Sequence, residues 1–357
     1  MGVGRLPAIL LLLATAPAAV ALPPLFPRTR GKLDAVNAEI HGKVLDFTHN
    51  HGGDRRLWSP ALCEKRDVYV YLPPGYDPKK AYPGILWLHG IGQDETSFLN
   101  LVGHFDSAVV CGKLTPCIIV VPDGSIKGHR TLINNGSFYL NGVSGRFEDY
   151  IIDDVWGWAK RSFAIRPERD AHVLAGGSMG GFGAYSLGIR HGSDFGVLVG
   201  LLPPLDVRYG DCHGRYFVPY DPNCFAYRTD SYPLRIIGKF YGGLLLVREP
   251  QLTRPVTGTG RGAVAALATR NPVEMLSLYD VRPGQFKMYI GYLRGDQLNI
   301  DAQCEHFLDV ARQRGLDPHV TVLDHGRHST KAGMTFFPDF CQWAKPRLGP
   351  YAPAVGK

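Results

Sequence analysis

A serine set among glycines is the strongest chemical signal in this sequence. Ser178 lies in the run AGGSMGGFGAY, and residues 176–180 match the pattern G-x-S-x-G. An apolar run precedes the serine and a helix-like segment follows it, which places the serine on a sharp strand-to-helix turn with its hydroxyl exposed as a nucleophile. The alternative is a glycine-rich turn that only packs closely or binds a phosphate.

A serine nucleophile needs a histidine base, and in the chain order Ser, acid, His that base follows the last strand. The run VTVLDHGRHST offers His325 and His328 there. We expect His328 to be the base, because it lies deeper in the loop, where its ring can reach Ser178. His325 is expected to be a loop histidine with local partners.

The acid that orients the histidine should lie on the loop after the preceding strand. The run MYIGYLRGDQLNID presents Asp296 first and Asp301 second. Asp301 is predicted to cap the following helix, whereas Asp296 has no local structural task. Asp296 is therefore the predicted acid, with Asp301 as the runner-up.

Stabilising an oxyanion requires backbone N–H groups that point at the developing charge. Met179 supplies one at the start of the helix, and the loop HGIG supplies a second from Ile91 or Gly92. The alternative for this loop is a tight turn with no catalytic task. His89 is expected to support the loop rather than to transfer protons. Together with Tyr139, which is expected to stack on a substrate ring at the rim, it forms the candidate substrate-binding pair.

Short apolar runs bounded by Gly or Pro alternate with helix-like stretches along the chain. This alternation predicts an α/β fold with an open, mostly parallel sheet, helices on both faces and the active crevice at the strands' carboxyl ends. The runs predicted as strands are 67–72, 84–90, 117–124, 171–177, 195–203, 286–291 and 319–326.

Three blocks of the sequence carry a family resemblance: DVYVYLPPGYDPKKAYPGILWLHGIG, AGGSMGGFGAYSLGIRH, and GDQLN with HGRHS. They resemble the "putative esterase" family of α/β-hydrolases, which includes esterase D, feruloyl and acetylxylan esterases, enterochelin esterases and the antigen 85 mycolyltransferases. The resemblance implies the α/β-hydrolase fold and ester cleavage by Ser178, Asp296 and His328. It does not extend to residues 206–270, so no substrate pocket is carried over.

The first residues, MGVGRLPAILLLLATAPAAVA, have the features of a secretory signal peptide cleaved after Ala21. We therefore predict a secreted or periplasmic protein with a signal peptide over 1–21, a Pro-rich tether over 22–45, a catalytic domain over 46–347 and a tail over 348–357. The catalytic domain is predicted to contain an irregular insertion at about 206–270, and such long loops commonly bind ligands. No membrane segment is expected after signal removal.

Export makes disulfides an expectation for the seven cysteines. Short separations suggest Cys111–Cys117 and Cys212–Cys224, and Cys304–Cys341 is a long-range pairing that leaves Cys63 unpaired. No pair has CxxC spacing, so a zinc site is not indicated. Ester cleavage by a serine, a histidine and an acid requires no metal or organic cofactor, so none is expected. Asn135-Gly-Ser137 is a glycosylation sequon only in a eukaryotic secretory host.

The formal net charge of +7 comes from scattered basic residues without interleaved aromatics, which argues against nucleic-acid binding. Weak attraction to anionic polymers or membrane surfaces is compatible with this charge. The leading hypothesis is an exported serine esterase acting on a small-molecule or polysaccharide-linked ester. The alternatives are an acyltransferase that uses a sugar hydroxyl as acceptor, and an inactive carbohydrate- or surface-binding protein on the same fold.

Overall fold

The centre of the molecule is an eight-stranded sheet in which most neighbours run parallel. The computed structural model describes residues 30–131 and 135–354. Its strands are β1 (Lys43–Phe47), β2 (Leu57–Ser59), β3 (Glu64–Arg66), β4 (Val68–Leu72), β5 (Gly84–Leu88), β6 (Ile118–Pro122), β7 (Asn141–Gly142), β8 (Gly145–Arg146), β9 (His172–Gly177), β10 (Val197–Leu201), β11 (Ile236–Phe240), β12 (Leu245–Arg248), β13 (Lys287–Leu293) and β14 (His319–Leu323).

The order across the large sheet is β1-β4-β6-β5-β9-β10-β13-β14. β4 is antiparallel to both of its neighbours, β1 and β6. The remaining contacts, from β6 to β14, are all parallel. The predicted α/β-hydrolase fold with a mostly parallel central sheet is confirmed, and each of the seven predicted apolar runs overlaps one of its strands.

Helices cover both faces of the sheet. They are α1 (Arg30–Glu39), α2 (Val102–Val110), α3 (Phe147–Asp149), α4 (Gly157–Ser162), α5 (Met179–Arg190), α6 (Glu249–Thr257), α7 (Pro272–Leu278), α8 (Ile300–Gln313), α9 (Thr330–Thr335) and α10 (Phe337–Leu348). A π-helical turn, Tyr150–Trp156, joins α3 to α4. None of the helices in the described part of the chain has both the length and the apolar character needed to cross a bilayer.

Two apolar cores lie on opposite sides of the sheet, because successive side chains of a strand point to opposite faces. In β5, Ile85 and Trp87 join the core under α1, α2 and α10. Leu86 and Leu88 join the core under α3 to α5, α7 and α8. A strand buried on both faces reads as a continuous apolar run, which is why these strands were visible in the sequence.

The predicted tether is wrong from residue 30 onward. Residues 30–39 form α1, whose Leu33 is buried in the core under α1, α2 and α10. Strand β1 pairs in register with β4 at the edge of the sheet. The predicted tail is likewise wrong over 348–352, since Leu348 is buried and the Arg166 guanidinium donates to the carbonyls of Tyr351 and Ala352. The predicted signal peptide lies outside the described residues.

One predicted disulfide is present, Cys212–Cys224. Cys304 and Cys341 are both buried, but they lie in different cores on opposite faces of the sheet, so their predicted pairing is wrong. The Cys111–Cys117 pairing is also wrong, because Cys111 is exposed after α2 while Cys117 is buried at the start of β6. The sequon asparagine, Asn135, is buried with its amide bonded to the backbone of His129 and Lys127.

The insertion at 206–270 contains a β11–β12 hairpin and α6 rather than irregular chain alone. A buried ion pair between Arg228 and Glu249 holds it together, and the Arg228 guanidinium also donates to two backbone carbonyls. Burial lowers the pKa of Arg228 to about 10, so the guanidinium stays charged at neutral pH. Asp206 binds His306 of α8 at 2.8 Å and fixes the start of the insertion to the core.

Candidate active site

Ser178 occupies a strained turn between β9 and α5. Its backbone angles are φ 53° and ψ −119°, a region that residues with a side chain rarely adopt. The turn is held because the Ser178 N–H donates to the Leu201 carbonyl at 2.8 Å. The surrounding sheet therefore enforces the geometry that projects the serine side chain above the carboxyl ends of the strands.

Gly176 and Gly180 make this turn sterically allowed. A Cβ at Gly180 would lie 2.0 Å from the Leu88 carbonyl oxygen, and a Cβ at Gly176 would lie 2.5 Å from the backbone of Gly180. The first helical turn thus presses directly against β5. The outer glycines of the G-x-S-x-G pattern are there because no side chain fits between strand and helix.

Gly180→Ala is accordingly expected to destabilise the fold by about 4 kcal/mol or more, since the added methyl meets backbone atoms that cannot move independently. Gly177→Ala is the matched control, because the nearest atom to its added Cβ is 3.9 Å away. Urea unfolding followed by circular dichroism measures the difference. Equal midpoints for the two variants would show that the turn tolerates a side chain at position 180.

Ser178, His328 and Asp296 form a continuous hydrogen-bonded chain. His328 Nε2 lies 2.7 Å from Ser178 Oγ, and His328 Nδ1 lies 2.8 Å from Asp296 Oδ2. A carboxylate only accepts, so Nδ1 carries the proton and Nε2 is left to accept from the serine hydroxyl. This arrangement is able to remove the serine proton and to hold the resulting imidazolium beside a negative charge.

The two loops that carry acid and base are fixed to each other. Asp296 Oδ1 accepts the Leu298 N–H at 2.8 Å, which sets the carboxylate plane. The side-chain oxygen of Gln297 accepts the His328 N–H at 2.7 Å and ties the loop after β14 to the loop after β13. The Asp296 carboxylate is fully buried and the His328 ring is one-tenth exposed, so water has little access to their bond.

Asp301 and His325, the second choices for the acid and the base, take no part in this hydrogen-bonded chain. Asp301 Oδ2 accepts the Gly295 N–H at 2.8 Å, and burial raises the pKa of this carboxyl. Asp301 is not the helix cap that was predicted, because α8 begins at Ile300 and Asn299 takes the capping position with φ 55°. His325 is exposed on the loop, away from the bonded chain.

The loop after β5 is a tight turn that frees its central amides. The Gln93 N–H donates to the Gly90 carbonyl at 3.2 Å, and Gly92 has the positive φ, 76°, that the third position of a type II turn requires. Across residues 30–131 and 135–354, no acceptor faces the N–H of Ile91 or of Gly92. A Cβ placed on Gly90 would lie 3.6 Å from Ser178 Cβ, so the start of this turn lies beside the serine, and Ile91 and Ser178 line the same two pockets.

His89 and Tyr139, the predicted substrate-binding pair, are both buried behind this turn. His89 Nδ1 donates to the Gly90 carbonyl, and its Nε2 accepts from the Gly124 N–H, both at 2.9 Å, so neither ring nitrogen is free. The Tyr139 hydroxyl donates to the His89 carbonyl at 2.7 Å. The two residues support the turn, as expected for His89. Phe138, and not Tyr139, lines the wall of the apolar pocket beside Ser178.

Two pockets meet at Ser178. The first spans about 880 Å³, part of it open to solvent, and most of its lining surface is apolar, with Ile237 and Val247 of the hairpin among the lining residues. The second, of about 850 Å³, lies between the turn after β5 and helix α9. Phe240 contributes to both. An ester lying across Ser178 would thus have one part in an apolar chamber and the other in a separate cleft.

Sequence reasoning missed the pocket-forming residues of the insertion. The hairpin residues Ile237, Phe240 and Val247 line the apolar chamber, and Arg228 closes its wall. The signal was available as the apolar run YPLRIIGKFYGGLLLV with a central Gly-Gly, which is typical of a hairpin. It was obscured by the surrounding Pro, Tyr and Arg residues.

Parts of this sequence are similar to a family of esterases and to two curated proteins. The family model described as "Putative esterase" matches residues 59–233, which include Ser178 and the turn after β5 but not Asp296 or His328. An endo-1,4-beta-xylanase/feruloyl esterase of Xylanibacter ruminicola is 28% identical over 177 residues, covering 44% of this chain and 23% of the relative. Esterase Rv1288 of Mycobacterium tuberculosis is 31% identical over 165 residues, covering 43% of this chain and 33% of the relative.

Solved structures share the fold at low identity. A ferulic acid esterase superposes with a TM-score of 0.62 at 16% identity, covering 86% of this chain and 99% of that one. An S-formylglutathione hydrolase from Agrobacterium tumefaciens gives 0.61 at 17% identity, covering 87% and 97%. The alignments span a third or less of the two curated relatives, so the agreement concerns this one fold and not those whole proteins.

Proposed function

We propose that this chain, whose residues 59–233 match the family model described as "Putative esterase", hydrolyses carboxylic esters through Ser178, His328 and Asp296. The observation that carries the proposal is the bonded chain from Asp296 to Ser178 Oγ at a strained elbow. A phosphate-binding or purely structural turn has no use for a histidine and a buried carboxylate aligned on its serine.

In the proposed reaction the Ser178 oxygen attacks the ester carbonyl carbon while its proton passes to His328 Nε2. The carbonyl oxygen becomes an oxyanion that accepts hydrogen bonds from the Met179 and Ile91 amides, with Gly92 beside them. The bond to the alcohol oxygen then breaks as His328 returns the proton to that oxygen. Water, deprotonated by the same ring, releases the acyl group and restores the serine.

We infer an ester with one extended apolar part, from the apolar chamber lined by Ile237, Val247 and Phe240. Relatives named as feruloyl esterases carry this same fold, and a compact aromatic acyl group would also fit such a chamber. Each methylene buried contributes about 0.8 kcal/mol, or about fourfold in binding. A soluble ester series from acetyl to hexanoyl adds four methylenes and is therefore expected to gain about 200-fold in kcat/KM.

The experiment combines that ester series with covalent labelling. A fluorophosphonate probe is expected to add to one residue, identified as Ser178 by peptide mass mapping. Absence of both labelling and turnover would overturn the proposal and favour the inactive binding protein. Including a sugar alcohol in the assay separates hydrolysis from acyl transfer, since transfer would produce a new ester instead of free acid.

We also propose that the chain is exported. The leader predicted over 1–21 and the Cys212–Cys224 disulfide support this, since stable disulfides form in oxidising compartments. Expression of the full sequence in a secreting host is expected to give a protein outside the cytoplasm whose first residue is Leu22. Intact-mass measurement checks this, and a cytoplasmic product that retains Met1 would contradict it.

A further inference from the structure

Several large apolar side chains are exposed to solvent at one end of the β11–β12 hairpin. Leu244 is 91% exposed, Tyr241 is 68% exposed and Leu245 is 42% exposed. Soluble proteins rarely leave large apolar side chains grouped in this way unless the group contacts something. We call Tyr241, Leu244 and Leu245 the hairpin tip.

The hairpin tip projects away from the molecule. It turns through Gly242 and Gly243, with φ of 69° and 96°, and nothing lies within 4 Å of a Cβ built at either position. The neighbouring residue, Phe240, lines both pockets at Ser178. The tip is therefore the outermost point of the wall that encloses the candidate active site.

Basic residues predominate in the hairpin and in the helix that follows it. Residues 231–257 contain four basic residues, namely Arg235, Lys239, Arg248 and Arg254, and a single acid, Glu249. Glu249 is fully buried against Arg228 and contributes no negative charge to the surface. The exposed charge of this segment is thus entirely positive, in a chain whose formal net charge is +7.

We propose that the hairpin tip docks this protein on the surface of an anionic lipid bilayer. Exposed Leu and Tyr side chains enter the interfacial region, while flanking Lys and Arg side chains contact anionic headgroups, and each such cation contributes about 1 kcal/mol near the membrane. A second copy of the chain is a poorer occupant. In a twofold contact each tip would meet the same positively charged segment of its partner.

Docking through this element would set the candidate active site against the membrane. The Lys239 N–H donates to the Gln297 carbonyl at 3.1 Å, and the Gln297 side chain accepts from the His328 backbone. The hairpin is thus bonded to the loops that carry Asp296 and His328. Delivery of a bilayer-dissolved ester to Ser178 rests on the proposed function, whereas the docking itself does not.

The test is a vesicle sedimentation assay with the full mature chain carrying Ser178→Ala, so that no lipid is turned over. Binding to vesicles of phosphatidylcholine with about 30% phosphatidylglycerol is compared with binding to phosphatidylcholine alone. Two variants are added to this background: Tyr241→Ser with Leu244→Ser, which removes apolar contact, and Lys239→Gln with Arg254→Gln, which removes charge. Leu278→Ser is the matched control, since Leu278 is 57% exposed outside the insertion.

The parent and Leu278→Ser proteins are expected to bind anionic vesicles, and the tip variant to bind at least about tenfold more weakly. The charge variant is expected to lose a similar factor, and raising the salt from about 0.1 M to about 1 M to weaken the parent. Parent-like binding by the tip variant, or equal binding to neutral vesicles, would overturn the proposal. Concentration-dependent dimerisation abolished by the tip variant, without vesicle binding, would assign the tip to self-association instead.

The same substitutions in the Ser178 form separate the two proposals. Turnover of a soluble acetyl ester is expected to stay within about twofold of the parent, because neither Tyr241 nor Leu244 lines a pocket. If no ester is turned over by any form, the proposed function fails, while the vesicle assay still decides the docking.

Discussion

Replacing Ser178 with alanine is expected to lower kcat for a soluble p-nitrophenyl ester by about 10⁴- to 10⁶-fold. The variant keeps the oxyanion amides and the pockets, but His328 has no hydroxyl to deprotonate and no acyl-enzyme can form. The remaining rate reflects binding and the amides acting on water. Steady-state kinetics with the substrate series measures the loss, and active-site titration of the parent excludes a trace contaminant as the source of turnover.

Ser186→Ala is the matched control on the same helix. Its hydroxyl donates to the Arg270 carbonyl at 3.1 Å and lies inside the core, away from the elbow. Its loss is expected to cost about 1 kcal/mol of stability and to leave kcat within about twofold. Retention of more than a tenth of parental activity by Ser178→Ala, with normal thermal unfolding of both variants, would remove Ser178 from the proposed mechanism.

The convergence of the candidate site was predictable because it follows from topology. Ser178 and His328 lie 150 positions apart in the chain. Ser178 directly follows β9, and Asp296 and His328 lie in the loops after β13 and β14. The carboxyl ends of parallel strands meet at one edge of a sheet. Once the strands were identified from their apolar runs, the three side chains had to lie near each other. His328 was preferred to His325 for its position in the loop, and Asp296 was preferred to Asp301 because Asp301 was expected to cap α8. The hydrogen bonds join Asp296 and His328, although Asp301 is not that cap.

Features that depend on packing rather than on strand order were not predictable. Tyr139 follows a loop near the site, but its ring fills the space beside Gly124 and Gly183, where any side chain at those positions would clash. The Pro-rich start of the chain concealed α1, which is stabilised by burial of Leu33 and not by its own composition. Likewise, the cysteine spacings carried no information on which face of the sheet each thiol occupies.

Asp296→Asn is expected to lower kcat by about 10⁴-fold, through the wrong histidine tautomer. Asp296 Oδ1 accepts the Leu298 N–H, so the amide oxygen of the asparagine would take that position and its NH₂ would face His328 Nδ1. Nδ1 would then have to accept, which leaves the ring proton on Nε2. A protonated Nε2 has no lone pair to remove the Ser178 proton.

Asp301→Asn is the matched comparison, because the same isosteric change there leaves an oxygen to accept the Gly295 N–H. We expect that variant to keep kcat within about threefold and to unfold within about 1 kcal/mol of the parent. Stopped-flow acylation rates and urea unfolding of both variants decide between the two acids. A large loss in Asp301→Asn beside a small one in Asp296→Asn would transfer the orienting role to Asp301. That outcome would require the loop after β13 to rearrange when substrate binds, since the Asp301 carboxylate is held by the Gly295 amide.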